Sequence, residues 1–224
     1  MGPAMDSPSA GDEAPAIGLR AALVLALWVG PAAAGLGLWS GYAARPGYGP
    51  SAPVQWPTGA ALERALDRPT LVVFAHPCCP CTRASLENLD RLLTAFDGPI
   101  QTDLLLWTPA GMTHEDAEAF ADGSVLHRAS DMPGVSTRLD RGGVLAEHFG
   151  ALTSGTALLF GADGALRYAG GLTFARGHAG DGVATAQLLS AMAQAPAQVV
   201  HTAVFGCSLL EPAELEAVAA GDRR

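Results

Sequence analysis

Three of the chain's four cysteines fall within four residues: Cys78, Cys79 and Cys81. They follow directly on TLVVFA (70–75), an unbroken apolar run suited to a buried strand. A helix is expected from Thr82 to Phe96, because Leu86, Leu89, Leu92, Leu93 and Phe96 share one helical face. A buried strand thus runs into cysteines at the mouth of a helix. Unsatisfied N–H groups and the positive end of the helix dipole favour a thiolate there. Two thiols at that place can attack a disulfide and then resolve the mixed disulfide. Pro80 suits an early helical position, where no N–H is required. Arg83 is either a further charge favouring the thiolate or a solvated surface residue.

Composition narrows the chemistry. The chain has 224 residues, a net charge of −9, 49% hydrophobic and 16% charged residues. That is enough for one packed domain with extensions, and it argues against global disorder. All 13 basic residues are arginine. Without lysine there is no P-loop lysine, no Schiff-base lysine and no lysine-rich nucleic-acid patch. The arginines are scattered, so no nucleic-acid partner is expected. Four cysteines, three of them clustered, are too few to staple a mini-protein and point to redox chemistry or metal binding.

Residues 1–18 read as a disordered tail. Ala21 to Trp39 carry no charge for nineteen residues, close to the length that spans a hydrocarbon core. Residues 19–40 are therefore expected to form a transmembrane anchor, with Trp39 at an interface. The alternative is a signal peptide cut after Ala34, following Ala32-Ala33-Ala34. The acidic residues Asp6, Asp12 and Glu13 before the apolar run favour the anchor. Residues 41–57, rich in Gly and Pro, read as a linker. The folded domain is expected over 58–212 and a C-terminal tail over 213–224.

Within the domain, Thr58 is expected to cap a short helix, GAALERALD. TDLLLW (102–107) reads as a second buried strand. Thr113 opens a short acidic helix, with Asp116 completing a weak capping box. Ser136 to Phe149 is expected to contain a helical stretch around Gly142-Gly143. TALLFG (156–161) and ALRYAGG (165–171) read as a β-hairpin. Val183 to Ala195 reads as a helix, VVHTAVFGCSL (199–209) as an apolar tail with strand character, and EPAELEAVAA as a weak terminal helix. Alternating strands and helices ending in a hairpin predict an α/β sandwich around a mixed sheet.

The strand–Cys-x-x-Cys–helix layout, with Pro80 before Cys81, resembles the thioredoxin superfamily. Its membrane-tethered extracytoplasmic members are the nearer likeness. The passage from Asp140 through Gly143, Ala146, Phe149 and Gly150 to Asp163-Gly164 is similar to theirs. The stretch His76-Pro77-Cys78-Cys79-Pro80-Cys81-Thr82-Arg83-Ala84-Ser85-Leu86 resembles the RedB-like group of membrane-anchored thioredoxin-like proteins. So do the stretch from Gly170 to Asp181 and Phe205-Gly206-Cys207. The resemblance implies a three-layer thioredoxin-like sandwich behind one transmembrane helix, protein thiols or disulfides as partners, and no cofactor. It also implies a single-pass membrane location with the domain extracytoplasmic, periplasmic in a Gram-negative cell.

Two departures qualify it. The family's cis-proline position falls on Gly155, and that proline normally discourages metal binding at the cysteines. The active pair is also open: Cys78 with Cys81, Cys79 with Cys81 as the RedB-like likeness favours, or Cys79 with Cys207. A strained Cys-x-Cys disulfide would be the more oxidising. His76 is either a thiolate-tuning or metal-ligating residue or an ordinary loop histidine. Arg176 and His178 are either a charge partner and a ligand near the cysteines or part of a flexible loop. His201 reads as structural, and Glu115, Asp116 and Glu118 as a solvated face.

Three functions follow. The first is a membrane-tethered thiol–disulfide oxidoreductase using Cys78 or Cys79, with Cys81 resolving. The second is a copper chaperone with Cys78, Cys79, Cys81 and His178 as ligands. The third is a non-catalytic thioredoxin-like binding module.

Overall fold

A computed structural model describes residues 18–121 and 124–210. Nearly all of the expected N-terminal tail, and the C-terminal tail with its weak helix, lie outside these residues. The chain divides into two units, one ending at Gly41 and one beginning at Tyr42. The first contains most of helix α1 (Leu19–Ala43), which runs unbroken past Pro31. Its 25 residues, with a mean hydropathy of 1.9 over an 18-residue window, make it long and apolar enough to cross a membrane. At helical rise it extends about 38 Å.

The second unit is built on a six-stranded sheet. Strands β1 (Thr70–Ala75), β2 (Gln101–Thr108), β3 (Val135–Arg141), β4 (Thr156–Phe160), β5 (Leu166–Gly170) and β6 (Val200–His201) lie in the order β3-β2-β1-β4-β5-β6. β1, β2 and β3 are parallel. β4 runs antiparallel to both β1 and β5. Helix α2 (Pro80–Ala95) makes the crossover from β1 to β2. α3 (His114–Ala121) and α4 (Ser124–Ser130) lie between β2 and β3, α5 (Val144–His148) between β3 and β4, and α6 (Val183–Gln194) between β5 and β6. This is the three-layer thioredoxin-like sandwich that the resemblance implies.

Both faces of the sheet are covered, which is why β1 and β4 are apolar without alternation. Leu71, Val73 and Ala75 pack with Leu86 and Leu89 of α2 and Leu188 of α6 on one face. Val72 and Phe74 pack with Leu158, Phe160 and Phe149 on the other. Phe74, central to the second cluster, is 1% exposed. The cysteines therefore sit at the end of a strand clamped from both sides.

Several expectations need correction. GAALERALD is a set of turns and bends, not a helix. Nine residues are marginal for a helix alone. Tertiary bonds fix them otherwise: Ala65 N–H donates to Thr70 Oγ1 at 3.0 Å and Arg64 Nη1 to the Ala162 carbonyl at 2.6 Å. Ser136 to Phe149 begins as strand β3, paired along β2, and only five residues after Gly142-Gly143 are helical. Both glycines have positive φ, 68° and 71°, which turns the chain sharply between the two elements. α4 was not foreseen. Of 199–209 only Val200–His201 joins the sheet.

Residues 41–57 are not a free linker. Tyr42 and Ala43 close α1. Further on, Gly47 N–H bonds the Val204 carbonyl, Ser51 N–H the Gly150 carbonyl and Trp56 N–H the Gly164 carbonyl, each at 2.8 Å. The Trp56 ring meets Phe149 and Phe160 edge-on at 5.0 and 5.1 Å. Glycine and proline here mark an irregular strap over the sheet, because such composition excludes regular structure without excluding tertiary contact.

Candidate functional site

β1 ends at Ala75, and His76 begins the turn into α2. The turn is pinned by three hydroxyl contacts. His76 N–H donates to Ser154 Oγ at 2.9 Å, Thr82 Oγ1 donates to the His76 carbonyl at 2.8 Å, and the Thr82 and Ser154 hydroxyls lie 3.2 Å apart. Cys79 N–H reaches back to the His76 carbonyl at 3.0 Å. Cys79 then occupies the N-cap of α2 in extended conformation, with Pro80 as the first helical residue. The expected helix thus begins two residues earlier than its apolar face indicated.

The adjacent cysteines have opposite surroundings. Cys78 is exposed, while Cys79 and Cys81 are buried, at 4% and 6% exposure. Cys207 is half-buried. Its backbone N–H donates to Cys79 Sγ at 3.4 Å, which places the distant cysteine against the N-cap cysteine.

The segment carrying Cys207 lies along residues 152–154. Ser154 N–H donates to the Cys207 carbonyl at 2.8 Å and Leu209 N–H to the Leu152 carbonyl at 3.0 Å. Thr153 and Ser208 form an antiparallel bridge. Gly206 is required here: a Cβ would stand 1.9 Å from the Ser154 carbonyl oxygen. Gly155, which the resemblance sets where thioredoxins carry a proline, has φ +90° and its N–H donates to the Phe74 carbonyl at 2.7 Å. Proline can supply neither that φ nor that N–H.

The electrostatics single out one sulfur. Burial raises the Cys79 thiol, but hydrogen bonds from the Cys207 thiol and N–H, with lesser contributions from the Cys81 N–H and thiol, outweigh it. Cys79 is held below the ordinary cysteine value. Cys81 is pushed up by burial and by the Cys79 charge, against the Gly177 N–H and the Arg176 charge. Cys207 is pushed up to about 12 by burial and by its hydrogen bond to Cys79.

Arg176 is the cation at the site. Its Nη1 donates to the Gly206 carbonyl at 2.6 Å and its Nε to the Arg45 carbonyl at 3.0 Å. Its guanidinium lies 5.1 Å from the centre of the Tyr42 ring. Arg83 is an exposed residue of α2. The glycine-rich loop thus reaches the cysteines through Arg176 and Gly177. His178 instead places Nδ1 2.8 Å from the Arg176 carbonyl, beside the Phe174 ring.

Among the described residues, no three His, Cys, Asp or Glu side chains gather in an arrangement that holds a metal. The four ligands of the copper reading are therefore not brought together. His76 stacks on Trp107, ring centres 4.9 Å apart, with Phe120 edge-on at 6.1 Å. Burial holds its imidazole below the usual histidine value. The His76–Trp107–Phe120 cluster escaped sequence reasoning. It joins three separate elements, and only adjacency of β1 and β2 could have suggested it.

No family model matches the chain, and no curated protein matches it. Solved structures do resemble it. One is an uncharacterised conserved protein from Geobacillus kaustophilus, 18% identical over 75% of this chain and 94% of that one, with TM-score 0.53. Another is a hypothetical protein from Sinorhizobium meliloti 1021, 15% identical over 73% and 98%, with TM-score 0.54. At these identities the likeness is one of fold.

Proposed function

We propose that this chain is a membrane-tethered thiol–disulfide oxidoreductase whose attacking group is the Cys79 thiolate. The observation that carries the reading is the Cys79 sulfur: buried at a helix N-cap, it receives a backbone N–H and sits among two further thiols. Cysteines kept only for packing are pushed up by apolar surroundings, whereas this one is held down.

The chemistry is thiol–disulfide exchange and needs no cofactor. The Cys79 thiolate attacks one sulfur of a partner protein's disulfide. A Cys79–partner bond forms, and the partner's second sulfur leaves as thiolate. A second thiol of this chain then attacks Cys79 Sγ, forms an internal disulfide and releases the partner reduced, its proton passing to the departing sulfur. Run backward, the same steps oxidise a partner dithiol. α1 would anchor the domain on the extracytoplasmic side, where partner disulfides persist.

The test is the pH dependence of Cys79 alkylation by iodoacetamide in the detergent-solubilised full chain. The expected midpoint lies below the ordinary cysteine value of about 8.5. Cys79→Ser is expected to abolish exchange with a disulfide substrate. A midpoint at or above the ordinary value would sink the reading in favour of a non-catalytic module, and full exchange without Cys79 would move the attack to another cysteine of the chain.

A further inference from the structure

We infer that Cys207, 128 positions downstream of Cys79, is the thiol that resolves it, so that the working disulfide is Cys79–Cys207 and not a bond inside the Cys78–Cys81 cluster. This rests on the exchange reading above and names the second thiol that it leaves open.

The first support is placement. Cys207 is delivered to Cys79 by a segment held in register, not by a free tail. Ser154 N–H holds the Cys207 carbonyl, Leu209 N–H holds the Leu152 carbonyl, and Arg176 holds the Gly206 carbonyl. Its N–H already touches Cys79 Sγ at 3.4 Å, so the Cys207 side chain begins one atom away from a group in contact.

The second support is the poor geometry of the rivals. Cys81 is the second residue of α2, two positions from Cys79. The Cys81 thiol also hydrogen-bonds Cys79, but a bond between them would close a small ring over the single residue Pro80, whose fixed φ adds strain. Cys78 points into solvent while its neighbour Cys79 is buried.

The third support is order of events. The segment that carries Cys207 also covers Cys79, which is 4% exposed. Because its N–H contacts Cys79 Sγ, Cys207 stands beside the mixed disulfide as soon as that bond forms. The Cys207 thiol is pushed up in the reduced protein by burial and by hydrogen bonding and charge from Cys79. A mixed disulfide neutralises Cys79 and removes its hydrogen bond and charge, while burial and the Arg176 charge remain. The resolving thiol is thus quiet until the first step is complete.

With glutathione disulfide as the probe, the electrons balance. The Cys79 thiolate forms Cys79–S–S–glutathione and releases one glutathione thiolate. The Cys207 thiolate then attacks Cys79 Sγ, forms Cys79–S–S–Cys207 and releases the second glutathione. The protein loses two electrons and the probe gains two.

The experiment adds glutathione disulfide to the reduced full chain in detergent and follows intact mass and disulfide-linked peptides. The wild type is expected to release two glutathiones per chain and to yield a peptide linking residues 79 and 207. Cys207→Ser is expected to accumulate the glutathionyl adduct on Cys79, its loss slowed by about tenfold or more. Cys81→Ser is expected still to yield the 79–207 linkage. A wild-type peptide linking Cys79 to Cys81, with Cys207 free, overturns this pairing and leaves the exchange reading standing, whereas one linking Cys78 to Cys81 overturns both the pairing and the choice of Cys79. A wild-type chain inert to the probe overturns both.

Discussion

The corner between β1 and α2 and the segment from Val204 to Leu209 meet at one sulfur, yet they are built in opposite ways. The corner is local: an apolar strand, a turn and a helix, all within residues 70–95, fix where Cys79 stands. The segment has almost no regular structure and owes its place to bonds with residues 152–154, Gly47 and Arg176. One supplies the buried Cys79 sulfur, the other its N–H donor and a thiol from a distant part of the chain. The contrast teaches that the reactivity of a motif can depend on chain that carries no motif of its own.

That contrast can be broken from either side. Phe74→Ala removes a ring that is 1% exposed beneath the corner, and is expected to cost about 3–5 kcal/mol in chemical denaturation of the solubilised chain. Gly206→Ala strikes the segment alone, since its Cβ would meet the Ser154 carbonyl. It is expected to cost about 2 kcal/mol, and to move the alkylation midpoint of Cys79 upward as the Cys207 N–H is lost. If Gly206→Ala left that midpoint unchanged, the segment would be cover and nothing more.

Arg176→Ala should act more gently. The thiols of Cys81 and Cys207 lose a nearby positive charge and rise, which slows closure of the internal disulfide by roughly three- to tenfold. Arg176→Lys is expected to recover part of that rate, and stopped-flow release of the second glutathione reads it. The smallest effect belongs to His76. Its imidazole is held below the usual value by burial. As pH falls below about 6.5, the unfolded chain takes up this proton before the folded one does. Stability then declines until the folded value is also passed. Removing the imidazole, in His76→Asn, should flatten that part of the denaturation profile.

Local order was legible and tertiary order was not. TLVVFA, the leucine face of α2 and the hairpin of β4 and β5 could be read because each is a pattern within a dozen residues. The cysteines at the helix mouth followed from the same adjacency. β3 was misread because its exposed alternate residues at the sheet edge weaken the apolar signal. The strap around Trp56 was misread because glycine and proline announce irregularity but not attachment. Among the cysteines, spacing alone kept Cys78, Cys79 and Cys207 all in play. It took the pairing of 205–209 with 152–154 to bring Cys207 against the buried Cys79.

The 128 positions between Cys79 and Cys207 have a thermodynamic consequence. In an unfolded chain two thiols that far apart rarely collide, so folding supplies nearly all of their effective concentration. A bond across that span ties most of the domain into one ring, a constraint on the unfolded chain worth roughly 5 kcal/mol. If Cys79 and Cys207 pair as proposed, reciprocity makes the sheet itself part of the redox couple. Whatever loosens the fold raises the potential at which these two sulfurs accept electrons, and whatever tightens it makes the protein a stronger reductant.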